Sequence, residues 1–534
     1  NSECNYRDIV ELEVLREMGN HKDRYMHSLQ DLASSERFQI LNNSLDNMIN
    51  GVVFRIFRAK INGKYVEVPR PKPGHVKKQL QKFKADLLRF RVFATPIPLE
   101  EIPGRYVGAK RLNKERAVTN VRNTGYLDKY RYCSIFVKGE LYNITRKAIG
   151  DIVSRIIQPG SQEHIVSCAQ YILPVEHNIY RAIDKVVNQY NPIHPSPSIM
   201  SGFNVVEQAN HVLTSMNGFK RPCWRGADAS RYDQCISEDM MRWEQSVMCE
   251  FVNNPLERKA MKKLLRGQII TKCFGKAYDG SIKYSARGTR KSGQQDTALG
   301  NKLDMIAMWV SFLVDNGVTK FALKCAGDDI LICLEESEWD RIKEDTIELY
   351  FKDLGFRLKM EPRAYEPEHI EFCQMKIVWD GIGYRMVRDP KVAIAKDCYS
   401  VKKFESIVEY CGWVDSVGKC GLALCSGIPM MQSFYLALIR GAHNLKQKEI
   451  LGKGITKKYK RDEKFDYWNS VWARGLKSRA REITAESRIS FFKAFNILPD
   501  VQIEMEQAYD DYELEYNGLD KFGEVNCIPF HDYH

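Results

Sequence analysis

Carboxylates dominate the chemistry open to this chain. Gly327-Asp328-Asp329 places two acids side by side, and Asp228 and Asp233 stand five apart in Gly226-Ala227-Asp228-Ala229-Ser230-Arg231-Tyr232-Asp233. Acids held together repel one another unless cations lie between them. Hard divalent ions suit such a cluster, because Mg²⁺ takes one or two carboxylates plus substrate phosphates. Two such ions about 4 Å apart serve an in-line phosphoryl displacement. A third segment, Ser292-Gly293-Gln294-Gln295-Asp296-Thr297-Ala298-Leu299-Gly300-Asn301, opens as a loop and continues as a helix. Thr297 and Asn301 are four apart and share a helix face, where small hydrogen-bonding side chains can read a sugar hydroxyl. Singly, each segment has a bland account. Asp-rich turns arise for backbone reasons, Asp233 suits a helix start as a cap, and Thr297 and Asn301 are ordinary polar residues near a helix N-terminus. Asp228 has no such account, and the three segments together point to phosphoryl transfer.

The elements that must position these acids are legible in outline. Asp228 follows an apolar approach through Cys223 and Trp224 that reads as a strand. An interval of five on one straight strand would put Asp228 and Asp233 on opposite faces, so the chain is expected to leave the strand and enter a helix near Asp233. Residues 321–326 and 330–334 form a hairpin with acids at its tip, and residues 371–378 and 384–387 flank Trp379-Asp380-Gly381-Ile382-Gly383 as a second. Helices are expected over 238–251 and 295–314, and residues 21–50 read as largely helical and polar. The class is α+β with an antiparallel sheet carrying acids at its turns.

The chain has 534 residues, which predicts three to four domains. Hydrophobic residues at 44% and charged residues at 28% exclude a mostly disordered or collagen-like chain. The longest apolar stretch, residues 305–314, is half of the roughly 20 needed to span a bilayer. The net charge of +12 favours a polyanionic partner. Arg55 to Arg91 mixes Lys and Arg with Phe54, Phe57, Tyr65, Phe83 and Phe90, a composition suited to a nucleic-acid groove or to a helix with a solvated basic face. Residues 191–198, with three prolines, read as a loop. Lys446 to Arg481 is basic again, including Lys457-Lys458-Tyr459-Lys460-Arg461, and the acidic tail after Asp500 is expected to stay solvated rather than fold back. The 15 cysteines include no CxxC pair, which argues against a zinc site or disulfide framework. A chain that begins at Asn1 is expected to be a cleavage product or a fragment.

In this order and spacing the three segments resemble motifs A, B and C of the viral RNA-dependent RNA polymerases, and most resemble the tombusvirus-like group of positive-strand RNA viruses. That group shows Asp-Ala-Ser-Arg-aromatic-Asp-Gln, Ser-Gly-x-x-x-Thr-x-x-x-Asn and Gly-Asp-Asp, which match residues 228–234, 292–301 and 327–329. Phe136-Val137-Lys138-Gly139-Glu140 and Arg155-Ile156-Ile157-Gln158-Pro159 resemble motif F. Tyr106-Val107-Gly108-Ala109-Lys110-Arg111 resembles a template-entry element. Phe372-Cys373-Gln374 resembles motif E, and Lys359 falls where motif D would lie. Gly160 and Gln294 depart from the group's pattern.

The resemblance implies a role for each residue. Asp228 and Asp328, assisted by Asp329 and the carbonyl of Ala229, would hold two Mg²⁺ ions, with Mn²⁺ able to substitute. Asp233, Thr297 and Asn301 would select a ribose by its 2′-hydroxyl. Ser292 and Gly293 would give the loop freedom beside the template base. Lys138 and Arg155 would hold the NTP triphosphate, and Lys359 would give a proton to the leaving pyrophosphate. Tyr106, Lys110, Arg111, Cys373 and Gln374 would touch RNA. The fold implied is a closed right hand: residues 1–103 bracing fingers and thumb, fingers at 104–222, palm at 223–257, a fingers insertion at 258–290, palm again at 291–395, and thumb with acidic tail at 396–534. Single-stranded template RNA, nascent duplex and NTPs would be its partners, with other replication proteins and membranes reached through a partner or a segment upstream. De novo initiation, and a place in the host cytoplasm at membrane-associated replication complexes, belong to the same expectation. A reverse transcriptase or DNA polymerase would share the acids, but Asp233 with Asn301 favours ribonucleotides. A catalytically silent RNA-binding scaffold would have no need to hold unpaired acids together.

Overall fold

The computed structural model describes residues 9–19, 24–29, 36–61, 63–147, 149–453 and 471–516. A four-stranded antiparallel sheet lies at the centre of the site, in the order Ala322–Cys325, Asp329–Glu335, Pro222–Ala229, Leu358–Met360. Pro222–Ala229 is an inner strand with Cys223, Trp224, Ala227 and Ala229 all buried. That explains why it reads as an apolar run rather than an alternation. The helix Thr297–Asp315 packs behind this sheet and is buried nearly all round, through Leu303, Ile306, Trp309, Phe312 and Leu313. A helix that is apolar on every side belongs in a core or a membrane. Here it is core, and no described helix is long and apolar enough to cross a membrane. The helix Glu238–Cys249 lies against the same core.

A second sheet has five strands in the order Ile9–Arg16, Gly280–Arg287, Ile270–Ala277, Tyr132–Val137, Ile156–Ile157. It therefore gathers pieces from three distant parts of the chain. Strict alternation along Tyr132–Val137 and Ile270–Ala277 turns Cys133, Ile135, Val137 and Cys273 inward, where they meet Leu45, Met48 and Val52 of the helix Leu45–Val52. The described residues of 21–50 are therefore not mainly helical. Their described parts are the short strands His27–Ser28 and Phe38–Ile40, each paired to a remote strand, before the helix starts at Leu45. Polar composition suggested a helix, and tertiary pairing overrode it.

The acidic hairpin and the 375–388 hairpin both form as expected. Beyond them the helices Ile407–Cys425 and Met431–Lys453 make a separate core with Trp413, Tyr435 and Leu438. The described part of the acidic tail folds back on this core, although most of its acids stay exposed. Helix Pro499–Asp510 packs on this core, Tyr509 and Leu514 are buried, and Glu506 takes Arg488 in a two-point ion pair of 2.8 and 3.1 Å. Apolar residues interleaved with the acids drive that docking. The basic run at 457–461 lies outside the described residues.

Candidate active site

Asp329 lies directly opposite Asp228 on the neighbouring antiparallel strand. Directly opposed residues share a sheet face, with Cβ atoms about 4.5–5.5 Å apart. Gly327, at φ +102°, makes the turn that puts Asp328 at the tip. On its other edge Asp228 faces Lys359, and Ala229 faces Leu358. Asp228 thus has an acid beside it on one neighbouring strand and a lysine on the other. Burial raises the Asp329 carboxyl, and Asp328, Asp228 and Glu371 raise it further, while the Cys373 thiol pulls it back by a hydrogen bond. Cys373 and Gln374 both take positive φ, 51° and 60°, in the tight turn between Phe372 and Met375. Left-handed backbone at residues other than glycine is costly and clusters at functional sites. Here it brings the thiol onto Asp329.

The donor set is carboxylate oxygen, which fits a hard divalent cation. Among the described residues no three His, Cys, Asp or Glu side chains converge on one metal position. By themselves the acids would supply only part of a shell, as in Mg²⁺ sites completed by substrate phosphates.

A cavity opens beside these acids, lined by Asp328, Asp233, Ser292, Arg155, Arg231 and Arg55 among others. Asp233 lies in the first turn of a short helix whose N-cap position is Arg231 and which has no side-chain cap, so it is not the cap expected, and it accepts a 2.8 Å hydrogen bond from Asn301 Nδ2. Asn301 Oδ1 accepts in turn from Arg290 Nε at 2.8 Å. Arg290 is clamped by both oxygens of Glu244, at 2.6 and 2.5 Å, and by Asp304 at 3.1 Å, all buried. Burial raises the Asp233 carboxyl, and the Asn301 bond followed by Arg290 draws it down. The amide of Asn301 is thus held by a fixed cation on one side and presented to Asp233 on the other. Sequence reasoning found the pair and missed the clamp. The one available signal was an Arg two residues ahead of Ser292-Gly293. Glu244 and Asp304 lie on two helices that show nothing of it.

Thr297 lies one turn before Asn301 on the same helix, but its hydroxyl donates elsewhere. Its hydroxyl donates to the Lys291 carbonyl at 2.6 Å, tying the loop to the helix it precedes. Ser292 is exposed at the cavity and accepts from the Gln158 backbone N–H at 3.3 Å. Gly293 bridges to Pro159, where a Cβ would stand 2.4 Å from Pro159 Cα. The departures at 160 and 294 prove to be one feature. A Cβ on Gly160 would lie 2.6 Å from Gln294 Oε1, and Gln294 Nε2 donates to Cys133 at 3.3 Å. The glutamine fills the space that the glycine leaves. Behind the loop, Gln268 stands between His164 and Asp296. The amide orientation that satisfies both has Nε2 donating to Asp296 at 2.9 Å and the oxygen accepting from His164 Nε2 at 3.0 Å. Tyr126 then donates to His164 Nδ1 at 2.6 Å. Burial lowers His164 to about 4 and lifts Asp296 to about 6.

Lys138 and Arg155 share one counter-ion, Glu140, at 2.8 and 3.2 Å. Arg155 lines the cavity and both cations are partly exposed, so an entering polyanion can exchange with Glu140. Two arginines that sequence reasoning did not single out join them. Arg231, at a left-handed φ of 53°, donates to the Phe54 carbonyl at 3.1 Å. Arg55 donates to the carbonyls of Ser154 and Val153, and burial lowers it to about 10. Tyr106, Lys110 and Arg111 lie at the start of the helix Gly108–Thr124. None of them lines the cavity, and Arg111 is paired with Glu115 at 2.8 Å.

A family model described as viral RNA dependent RNA polymerase matches residues 12–517. The RNA-directed RNA polymerase of turnip crinkle virus is 33% identical over 478 residues, covering 89% of this chain and 58% of that protein. Those of maize chlorotic mottle virus and melon necrotic spot virus are 32% and 33% identical, over 92% and 93% of this chain and 48% and 60% of theirs. The chain therefore spans about half to three-fifths of the length of these relatives.

Proposed function

The chain belongs to the viral RNA-dependent RNA polymerase family, and we propose that it copies an RNA template into RNA by transferring nucleotides from NTPs to a growing 3′-hydroxyl with release of pyrophosphate. One observation carries the reading: Asp328, at the tip beside the facing acids Asp228 and Asp329, lines the same cavity as a set of arginines and as Asp233, which Asn301 holds. Acids for the reacting phosphate, a polar pair for the sugar and cations for the triphosphate are what nucleotidyl transfer needs in one place. The architecture supports a right hand. The four-stranded sheet would be the palm, the five-stranded sheet the fingers and the helices from Ile407 the thumb.

Asp228 and Asp328, with Asp329 and the Ala229 carbonyl, would hold Mg²⁺ or Mn²⁺. The bound ions would sharpen the attacking 3′-hydroxyl and stabilise the pyrophosphate leaving group. Arg155, Arg231 and Lys138 orient the triphosphate, releasing Glu140 as it enters. Asn301, fixed by Arg290, keeps Asp233 aimed at the ribose 2′-hydroxyl, which donates and accepts hydrogen bonds. The bond from the 3′-oxygen to the α-phosphorus forms as the hydroxyl proton passes to water and the bond from that phosphorus to the pyrophosphate oxygen breaks, and Lys359, the register partner of Asp228, would give a proton to the leaving group. Sequence enters through base pairing rather than protein contacts, and de novo initiation is part of the same proposal.

NTP incorporation on a single-stranded RNA template with Mg²⁺ or Mn²⁺ tests this directly. The unaltered chain is expected to extend RNA, and Asp328→Ala to bind RNA without extending it. Equal extension by both would end the assignment.

A further inference from the structure

Two segments wall the cavity beside the acids. One, residues 155–160, carries Arg155. The other, residues 291–301, carries Ser292 and the amide that holds Asp233. They touch where the Gln158 N–H donates to Ser292 Oγ and where Pro159 bridges Gly293. Beyond that contact they part into separate helices. The first passes through Ser161, which caps the helix Gln162–Asn188 by accepting from the His164 N–H at 3.1 Å. The second ends at Asp296, at the cap position of the helix Thr297–Asp315, yet the Asp296 carboxylate makes no cap bond. It is buried and accepts from Gln268 Nε2 instead, at 2.9 and 3.1 Å. Gln268 belongs to neither segment. It follows the helix Pro255–Arg266, and its backbone is fixed on both sides: its N–H donates to the Leu265 carbonyl at 3.0 Å, and its carbonyl accepts from the Thr271 hydroxyl at 2.9 Å. The Gln268 amide oxygen accepts from His164 Nε2 at 3.0 Å. Gln268, His164 and Asp296 are all buried, and Gln268 does not line the cavity. A primary amide donates at one end and accepts at the other, which a carboxylate or a hydrocarbon of the same size does not do.

We propose that Gln268 is a positioning residue for nucleotide incorporation: joined to Asp296 on one side and His164 on the other, it holds the two walls of the cavity in one register, so that the cation at Arg155 and the Asp233–Asn301 pair meet the same nucleotide. The inference rests on the polymerase reading for the identity of that nucleotide and adds a residue that touches no substrate. Its effect falls on binding. Both walls would grip the nucleotide before any bond changes, whereas the facing acids stand on the separate four-stranded sheet. Lost register therefore weakens ground state and transition state alike, which raises KM and spares kcat. Fully satisfied buried polar networks rigidify what they join, and this one joins three parts of the chain that lie far apart in sequence.

The test uses the full chain, with steady-state NTP incorporation on one RNA template and backbone amide exchange over residues 291–301, both below the melting temperature of every variant. Gln268→Met keeps the volume and removes both bonds. It is expected to raise KM for NTP about tenfold, to leave kcat within about threefold, and to speed exchange across 291–296. Gln268→Glu sets two carboxylates against each other and is expected to raise KM further. Gln268→Glu with Asp296→Asn exchanges donor and acceptor, because the asparagine amide donates to the glutamate, which still accepts from His164 Nε2. That pair is expected to recover KM to within about threefold of the parent. Asp296→Asn alone still accepts from Gln268 and is expected to raise KM less than Gln268→Glu. KM within twofold of the parent in Gln268→Met, a loss confined to kcat, or an exchanged pair no better than Gln268→Glu would each overturn the positioning role and leave the polymerase assignment standing. An inactive parent would sink that assignment, and exchange then decides the rest: unchanged exchange in Gln268→Met overturns the coupling of the two walls, and faster exchange restored in the exchanged pair upholds it.

Discussion

Replacing Asn301 with alanine removes an amide strung between two held partners. On one side it donates to Asp233 Oδ1, and on the other it accepts from Arg290 Nε, both at 2.8 Å. A hydrogen bond to a charged group contributes about 1.5–3 kcal/mol net, which is roughly 10- to 150-fold in a rate or binding ratio. Arg290 keeps its two-point clamp on Glu244, so the fold is expected to survive and the loss to fall on Asp233. The assay is kcat/KM for each NTP and its 2′-deoxy counterpart on one RNA template. Asn301→Ala is expected to cut discrimination against the deoxynucleotide about tenfold or more. The Asp233 carboxyl, already raised by burial, also loses the strongest influence drawing it down. It protonates at a higher pH in the variant, so the acid limb of kcat/KM is expected to move upward. Thr297→Val is the internal control, because the Thr297 hydroxyl is spent on the Lys291 carbonyl. It is expected to lower melting and leave sugar discrimination alone. Unchanged discrimination in Asn301→Ala, or a loss in Thr297→Val as large, would refute the reasoning.

Two further outcomes follow from packing and burial. Gly160→Ala puts a Cβ 2.6 Å from Gln294 Oε1, the far end of a flexible side chain, and is expected to cost about 0.5–1.5 kcal/mol as that side chain turns aside. Gly160→Ala with Gln294→Ala is expected to recover most of that loss, and additive losses in thermal melts would disprove the coupling. His164 is held at about 4 by burial against an ordinary 6.5. Between those values the unfolded chain takes a proton that the folded chain refuses, so stability falls as pH drops from 6.5 towards 4, by up to about 3 kcal/mol from this group. His164→Gln is expected to lose less melting temperature than the parent between pH 7.5 and 5, and parallel pH slopes would contradict this account.

Local chemistry made the acids readable from sequence. A carboxylate pair at a hairpin tip, a strand that yields to a helix between Asp228 and Asp233, and a loop that becomes the helix at Thr297 are all short-range patterns, and each appears where its residues put it. The apolar run at 305–314 was visible too, although only the packed sheet beside it turns that run into core. Tertiary structure decided what depends on residues far apart in the chain. The register that sets Asp329 and Lys359 on either side of Asp228 joins strands more than 100 residues apart. The Arg290 clamp draws Glu244 and Asp304 from different helices, and no spacing rule links them. Short strands such as Phe38–Ile40 have too little local pattern to outweigh polar neighbours and exist through their remote partners. The acidic tail docked because Tyr509 and Leu514 found an apolar surface that no composition count reveals. Residue types determined which chemistry was possible, because charge and hydrogen-bonding capacity belong to the side chain itself. The fold decided which side chains meet, because proximity across hundreds of residues is fixed by burial and pairing summed over the whole chain.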